Sequence, residues 1–118
     1  MSKACTFTTS LSHTFTDKPG APENFKVTDV AEDTISVHWD PPSDNGGCLI
    51  TAYVVEYREA SKRSWQSAGT TGDVEMTLTR LTEGQLYMFR VAAENDVGTG
   101  PFVELAKAVA PKSKFGEY

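Results

Sequence analysis

The sequence predicts an all-β protein, seven short strands packed as a two-sheet antiparallel β-sandwich. Three observations lead there. Turn-forming clusters punctuate the 118 residues at short, regular intervals, near 19–22, 41–47, 69–73, 83–84 and 95–101. The segments between them are short, and several alternate apolar and polar residues with period two, while none carries a good helical stripe. They are rich in β-branched and aromatic residues, which suit a pleated, half-buried surface.

The strands are expected near 23–30, 34–40, 49–59, 64–68, 74–80, 85–95 and 102–109. The first follows the prolines Pro19 and Pro22 and supplies Phe25 and Val27 to the core. The second places Ile35, Val37 and Trp39 on one face. The third does the same with Tyr53, Val55 and Tyr57, and the fifth with Met76 and Leu78. The sixth shows the longest alternation, with Tyr87, Phe89, Val91 and Ala93 inward and Met88, Arg90, Ala92 and Glu94 outward. Ile50 and Leu81 complete the expected core. Two inner faces interdigitate around a central Trp39.

Charge narrows the function classes. The net charge is −5, and the body between residues 19 and 110 is acidic while both flanks are weakly basic. An acidic body without a basic stripe argues against nucleic acid and against an anionic membrane surface. No apolar run is long enough to span a bilayer, and residues 1–16 lack the apolar core of a signal peptide. The two cysteines, Cys5 in the tail and Cys48 after a turn, do not read as a disulfide framework. No glycosylation sequon is present.

Leu81 and Tyr87 are the most specific local signal. A Leu, five intervening residues and a Tyr opening an alternating strand form the pattern of a tyrosine corner, whose ring is buried while its hydroxyl bonds backbone upstream. With Trp39 ending the second strand, Tyr53-x-Val55-x-Tyr57 in the third, and Arg90-Val91-x-Ala93-x-Asn95-x-x-Gly98 in the sixth, residues 19–111 resemble a fibronectin type III domain, an immunoglobulin-like sandwich. Four longer stretches sharpen the resemblance: PGAPENFKVTDV, WDPPSDNGGCLITAYVVEYR, the turn Lys62-Arg63-Ser64-Trp65, and YMFRVAAENDVGTGP. They are similar to the repeats of the titin and twitchin family of giant muscle proteins. Cys48 and Leu49 depart from the small polar residues usual after the glycine pair, and residues 1–14 match nothing in the pattern.

The resemblance implies a domain plan and a setting. Residues 1–18 read as a Ser/Thr-rich tail or linker, 19–111 as the domain, and 112–118 as a linker to a following domain. Phe15 and Phe115 lie one domain length apart, each before an acidic residue, as a tandem repeat would place them. Pro19, Pro22 and Phe115 are the expected interdomain junction. The implied partners are neighbouring immunoglobulin or fibronectin type III domains in the same chain, with myosin filament proteins or an adjacent kinase beyond them. The implied location is cytoplasmic, in the sarcomere, at the A-band or thick filament. The alternative with the same fold is an ectodomain repeat of a cell-surface adhesion protein or receptor. The sixth-to-seventh strand loop reads NDVGTGP rather than Arg-Gly-Asp, and Trp65 has no second Trp of a W-S-x-W-S element. Both absences favour the intracellular reading.

No catalytic constellation emerges. His13 lies in the tail and His38 points outward beside Trp39. Asp40, Asp44 and Asp73 sit near loops without the spacing of a metal loop. The expectation is no enzyme, no cofactor and no metal. The structural residues are Trp39, Tyr53, Val55, Leu81, Tyr87, Phe89 and Val91. On the outer face of the third and sixth strands, Glu56, Arg58, Trp65 and Arg90 form either cross-strand pairs or a docking face.

Overall fold

A computed structural model describes residues 17–112. Most of the expected tail, with Cys5 and His13, and Phe115 lie outside the described residues. Seven strands form in chain order: β1 (Glu23–Val30), β2 (Ile35–Asp40), β3 (Ala52–Glu59), β4 (Gln66–Thr71), β5 (Glu75–Leu78), β6 (Tyr87–Glu94) and β7 (Val103–Glu104). They make two antiparallel sheets, one ordered β1-β2-β5 and the other β4-β3-β6-β7.

The spine of the larger sheet is the β3–β6 pair, in unbroken register from Ala52↔Glu94 to Glu59↔Tyr87. That register puts Tyr53 opposite Ala93, Val55 opposite Val91 and Tyr57 opposite Phe89, so one apolar face looks onto the smaller sheet. From the smaller sheet Ile35, Val37 and Trp39 answer it, all fully buried. Trp39 meets the edge of Phe25 at 6.0 Å and of Tyr53 at 5.5 Å between ring centroids, the offset geometry aromatic rings prefer. Its indole Nε1 is the one buried side-chain polar atom left without a partner among the described residues.

Two strand boundaries differ from the sequence reading for physical reasons. β4 runs to Thr71 rather than ending near 68, because a register shift at Val55/Glu56 carries the pairing on to Tyr53↔Thr71. β7 shrinks to two residues paired with Val91 and Arg90. Beyond it Leu105 turns inward and is buried, and the chain rejoins β6 only at the isolated bridge Tyr87↔Val109. Of the expected core, Phe25, Val27, Ile50 and Met76 are only partly buried, since they lie on edge strands or in a loop. Leu105 and Cys48 are buried instead. Cys48 is also disulfide-bonded, a bond that the sequence, which does not read as a disulfide framework, left unexpected.

The antiparallel weave gives the sandwich two poles. The upstream pole carries the β2–β3 and β6–β7 loops and the turn before β5, where residues 17–22 lead into β1. The downstream pole carries the β1–β2, β3–β4 and β5–β6 connections, where the chain leaves after Val109. Eight residues of β6 separate them, roughly 25 Å of strand.

Candidate functional site

The β3–β6 pairing dictates what the outer face presents. Glu56 lies opposite Arg90 and Arg58 opposite Met88. The Arg90 guanidinium donates from Nε at 2.8 Å and from Nη2 at 2.5 Å to one oxygen of Glu56. Its flat faces lie 4.3 Å from the Trp65 ring and 4.2 Å from the Phe102 ring. Arg58 covers Trp65 as well, at 5.0 Å, while its Nη1 donates to the carbonyl of Lys62 at 2.5 Å, within the turn that presents Trp65. The result is a stack, Phe102–Arg90–Trp65–Arg58, with Glu56 neutralising its centre. Sequence reasoning named Glu56, Arg58, Trp65 and Arg90, and all four meet here. It missed Phe102, whose place follows from the Arg90↔Glu104 pairing of β7. Each guanidinium already has its partners, so the stack holds the β3–β4 turn and the β6–β7 loop onto the sheet.

The upstream pole is built around residues 17–20. The Asp17 N–H donates to the carbonyl of Gly46 and the Gly20 N–H to that of Asp44, both at 2.8 Å. Asn95, 4% exposed, is the hub. Its amide nitrogen donates to the carbonyls of Asp17 at 2.7 Å and Asn45 at 2.9 Å, and its oxygen accepts from the N–H groups of Val97 and Gly98. Asp44 and Asn45 cap their own loop through Asx turns, accepting from the N–H groups of Gly46 and Gly47. Two glycines admit the incoming chain. A Cβ on Gly46, at φ +78°, would lie 2.0 Å from the Asp17 carbonyl oxygen, and one on Gly100 would lie 1.9 Å from that of Pro19. Pro19 and Pro22 are both buried here.

The downstream pole holds the departing chain in a similar way. Pro111 is buried and its carbonyl accepts from the Gly84 N–H at 3.0 Å. Beside it the tyrosine corner closes the β5–β6 loop, with the Thr82 N–H donating to the Tyr87 hydroxyl at 2.9 Å. Tyr53, Val55, Leu81, Tyr87, Phe89 and Val91 all lie in the buried core with Trp39.

The residues weighed for chemistry are scattered. His38 Nε2 is 3.9 Å from Asp40, Asp44 is used by its turn, and Asp73 lies in the turn between β4 and β5, its N–H donating to the Thr71 hydroxyl. Among the described residues no three His, Cys, Asp or Glu side chains gather where a metal could be held. An open cleft of about 440 Å³ runs along the β4 and β5 edges, lined by Tyr57, Ser67, Thr77, Leu78 and Arg80. It contains no acid–base pair. Burial pushes the Tyr53 phenol above its ordinary value.

Residues 20–108 match the family model of the fibronectin type III domain. The chain belongs to the fibronectin type III family. It is 38% identical over 87 residues to "Titin homolog" of Caenorhabditis elegans, covering 73% of this chain and a share of that relative that rounds to 0%. It is 33% identical over 105 residues to "Myosin-binding protein C, fast-type" of Mus musculus, covering 81% of this chain and 9% of the relative. Among solved structures, domains A168–A170 of titin superpose with a TM-score of 0.78 at 32% identity, covering 82% of this chain and 33% of that one. This fibronectin type III chain therefore spans less than a tenth of the length of either relative.

Proposed function

We propose that the chain is a non-catalytic spacing and docking module of a giant sarcomeric scaffold. The observation that carries this reading is the grip at the two poles. The chain comes in at one end of β6 through Asp17 and Gly20 and leaves at the other through Pro111, each bound by backbone hydrogen bonds to loops of the sandwich. A module built this way fixes the separation of whatever is attached to it. The similarity to small parts of a titin homolog and of a myosin-binding protein C supports a place among neighbouring immunoglobulin or fibronectin type III domains. In this reading residues 1–18 and 112–118 are linkers, Pro19, Pro22 and Phe115 belong to the junctions, and myosin filament proteins are the partners of the array. The location is cytoplasmic, at the thick filament.

One observation favours the alternative, a repeat of a cell-surface protein. Cys48 is disulfide-bonded, a state that persists mainly in oxidising compartments. An immunoblot of native tissue with an antibody to residues 19–111 separates the two. A band of several hundred kilodaltons in the filament fraction of muscle supports the scaffold. A smaller band that shifts on deglycosylation replaces it with the cell-surface reading.

A further inference from the structure

Two strand edges border the open cleft of about 440 Å³ without pairing across it: β4 bonds only to β3, and β5 only to β2. Ser67 and Ala68 line one side, and Thr77, Thr79 and Arg80 the other. An unpaired edge is a template for a further strand, and sheets commonly guard it with charge, bulges or shortness. Here β1 is interrupted by two register shifts and carries Glu23, Lys26 and Asp29, while β7 has only two residues. β4 has one register shift, opposite Val55 and Glu56, and no charge at all along Gln66–Thr71.

Arg80, just past β5, is the one charged residue in the cleft lining. Its backbone is left-handed, at φ 62°, a conformation that strains any residue with a Cβ and suits glycine. The turn accounts for the conformation, since Leu81 swings inward to be buried and its N–H donates to the Asp33 carbonyl at 2.9 Å. Glycine would make that turn with less strain, so the turn does not account for the arginine. The side chain is exposed, and its guanidinium has no hydrogen bond, ion pair or ring partner among the described residues. Glu32 and Asp33, in the turn that receives the Leu81 N–H, make no ion pair with it. Arg58 and Arg90, by contrast, are both engaged in the stack on the opposite face.

We propose that the cleft is a docking site for an extended acidic peptide of a partner protein, added as a strand along β4 with a carboxylate on Arg80. Main-chain hydrogen bonds to the free edge of β4 supply the affinity, and Arg80 supplies the specificity. A guanidinium is a fork that meets a carboxylate with two parallel hydrogen bonds. The rest of the lining is neutral, so a single acid, placed at the Arg80 end, is the charge that complements the cleft. A second copy of this chain is the poorer occupant, because its own β4 edge carries no acid to meet Arg80. This inference rests on the docking part of the proposed function, to which it gives a site and a ligand class.

Selection from a random octapeptide library by the whole 118-residue chain supplies the probe. The selected peptides should carry an aspartate or glutamate. Titrating one of them should shift the backbone amides of residues 67–71 and 77–81 and leave β1 and β7 unmoved. Arg80→Gly, which relieves the left-handed backbone, should fold as well as the parent yet bind about tenfold more weakly. Replacing the peptide's acid by its amide should cost as much on the parent and nothing further on Arg80→Gly. N-methylation at alternate peptide nitrogens should abolish binding in one phase and spare it in the other, since only one set of N–H groups faces β4. Failure to select a peptide, selected peptides without an acid, shifts on a sheet face, unchanged binding by Arg80→Gly, or indifference to both N-methylation phases each overturns the inference. Shifts at these same residues on concentrating the chain without peptide would make a second copy the occupant and overturn it too. None of these outcomes alters the size or compartment of the native protein, so a failure here is distinct from a failure of the proposed function.

Discussion

The side-chain amide of Asn95 donates to the main-chain carbonyl of Asp17 at 2.7 Å, across 78 residues of sequence. Through it the segment before β1, the β2–β3 loop and the β6–β7 loop become one unit. This buried, fully used side chain works beside the backbone bonds from Asp17 to Gly46 and from Gly20 to Asp44 in holding the upstream pole together.

Asn95→Ala should therefore cost more than a surface change. It removes four hydrogen bonds and strands buried backbone groups, an effect of about 2–3 kcal/mol. Chemical denaturation measures it, and a loss below about 0.5 kcal/mol would show that the hub does not hold the pole.

Gly100→Ala meets the Pro19 carbonyl oxygen, where backbone must move. Gly72, with nothing within 4 Å of an added Cβ, is the control. We expect Gly100→Ala to lower the thermal midpoint by several degrees and Gly72→Ala to leave it within about 2 °C, read by a melting curve on each variant. Equal midpoints would mean that the segment 17–20 does not sit in its groove.

Trp39 and Tyr87 separate volume from polarity. Trp39→Ala opens a cavity in the core and should cost about 3–5 kcal/mol. Tyr87→Phe keeps the ring but removes the acceptor for the Thr82 N–H, about 1 kcal/mol. Equilibrium unfolding of both variants checks the order; a Trp39→Ala loss below about 1 kcal/mol would contradict the core described here.

Arg90→Ala dismantles the stack from its centre, and Arg90→Lys keeps the charge while losing the flat contact with Trp65 and Phe102. Both should redden Trp65 fluorescence and destabilise the sandwich by about 1–2 kcal/mol. Unchanged stability together with lost binding to a filament protein would instead make this face a docking surface.

Stability should fall in alkali. The folded pKa of Tyr53 lies above its unfolded value of 10.0, so above that pH the unfolded chain releases a proton that the folded chain retains. The contribution is constant through neutral pH and is lost as pH rises past 10. Tyr53→Phe should flatten that decline in a pH series of denaturation midpoints, and an unchanged slope would remove Tyr53 as its source.

Alternation located β2, β3 and β6, because inward residues two apart make a pattern that survives in one dimension, and the fixed spacing of Leu81 and Tyr87 located the tyrosine corner. Features set by pairing between distant segments left no such trace. β7 could not be trimmed to two residues without knowing that Leu105 turns into the core. Phe102 joins the stack only because β7 registers Glu104 against Arg90. The sequence reading took Asn95 as part of a loop motif, since nothing local reveals its bond to Asp17. Pro111 went unnoticed as an anchor because its partner, the Gly84 N–H, belongs to another loop.

Hydrogen exchange on the whole chain tests most directly whether this is a spacer gripped at both ends. The N–H groups of Asp17, Gly20 and Gly84 donate to the carbonyls of Gly46, Asp44 and Pro111. All three should exchange at least about 100-fold more slowly than in an unstructured peptide. Exchange of Asp17 and Gly84 at the unstructured rate, with β3 and β6 still protected, would mean that the sandwich folds but does not hold the chain that passes through it.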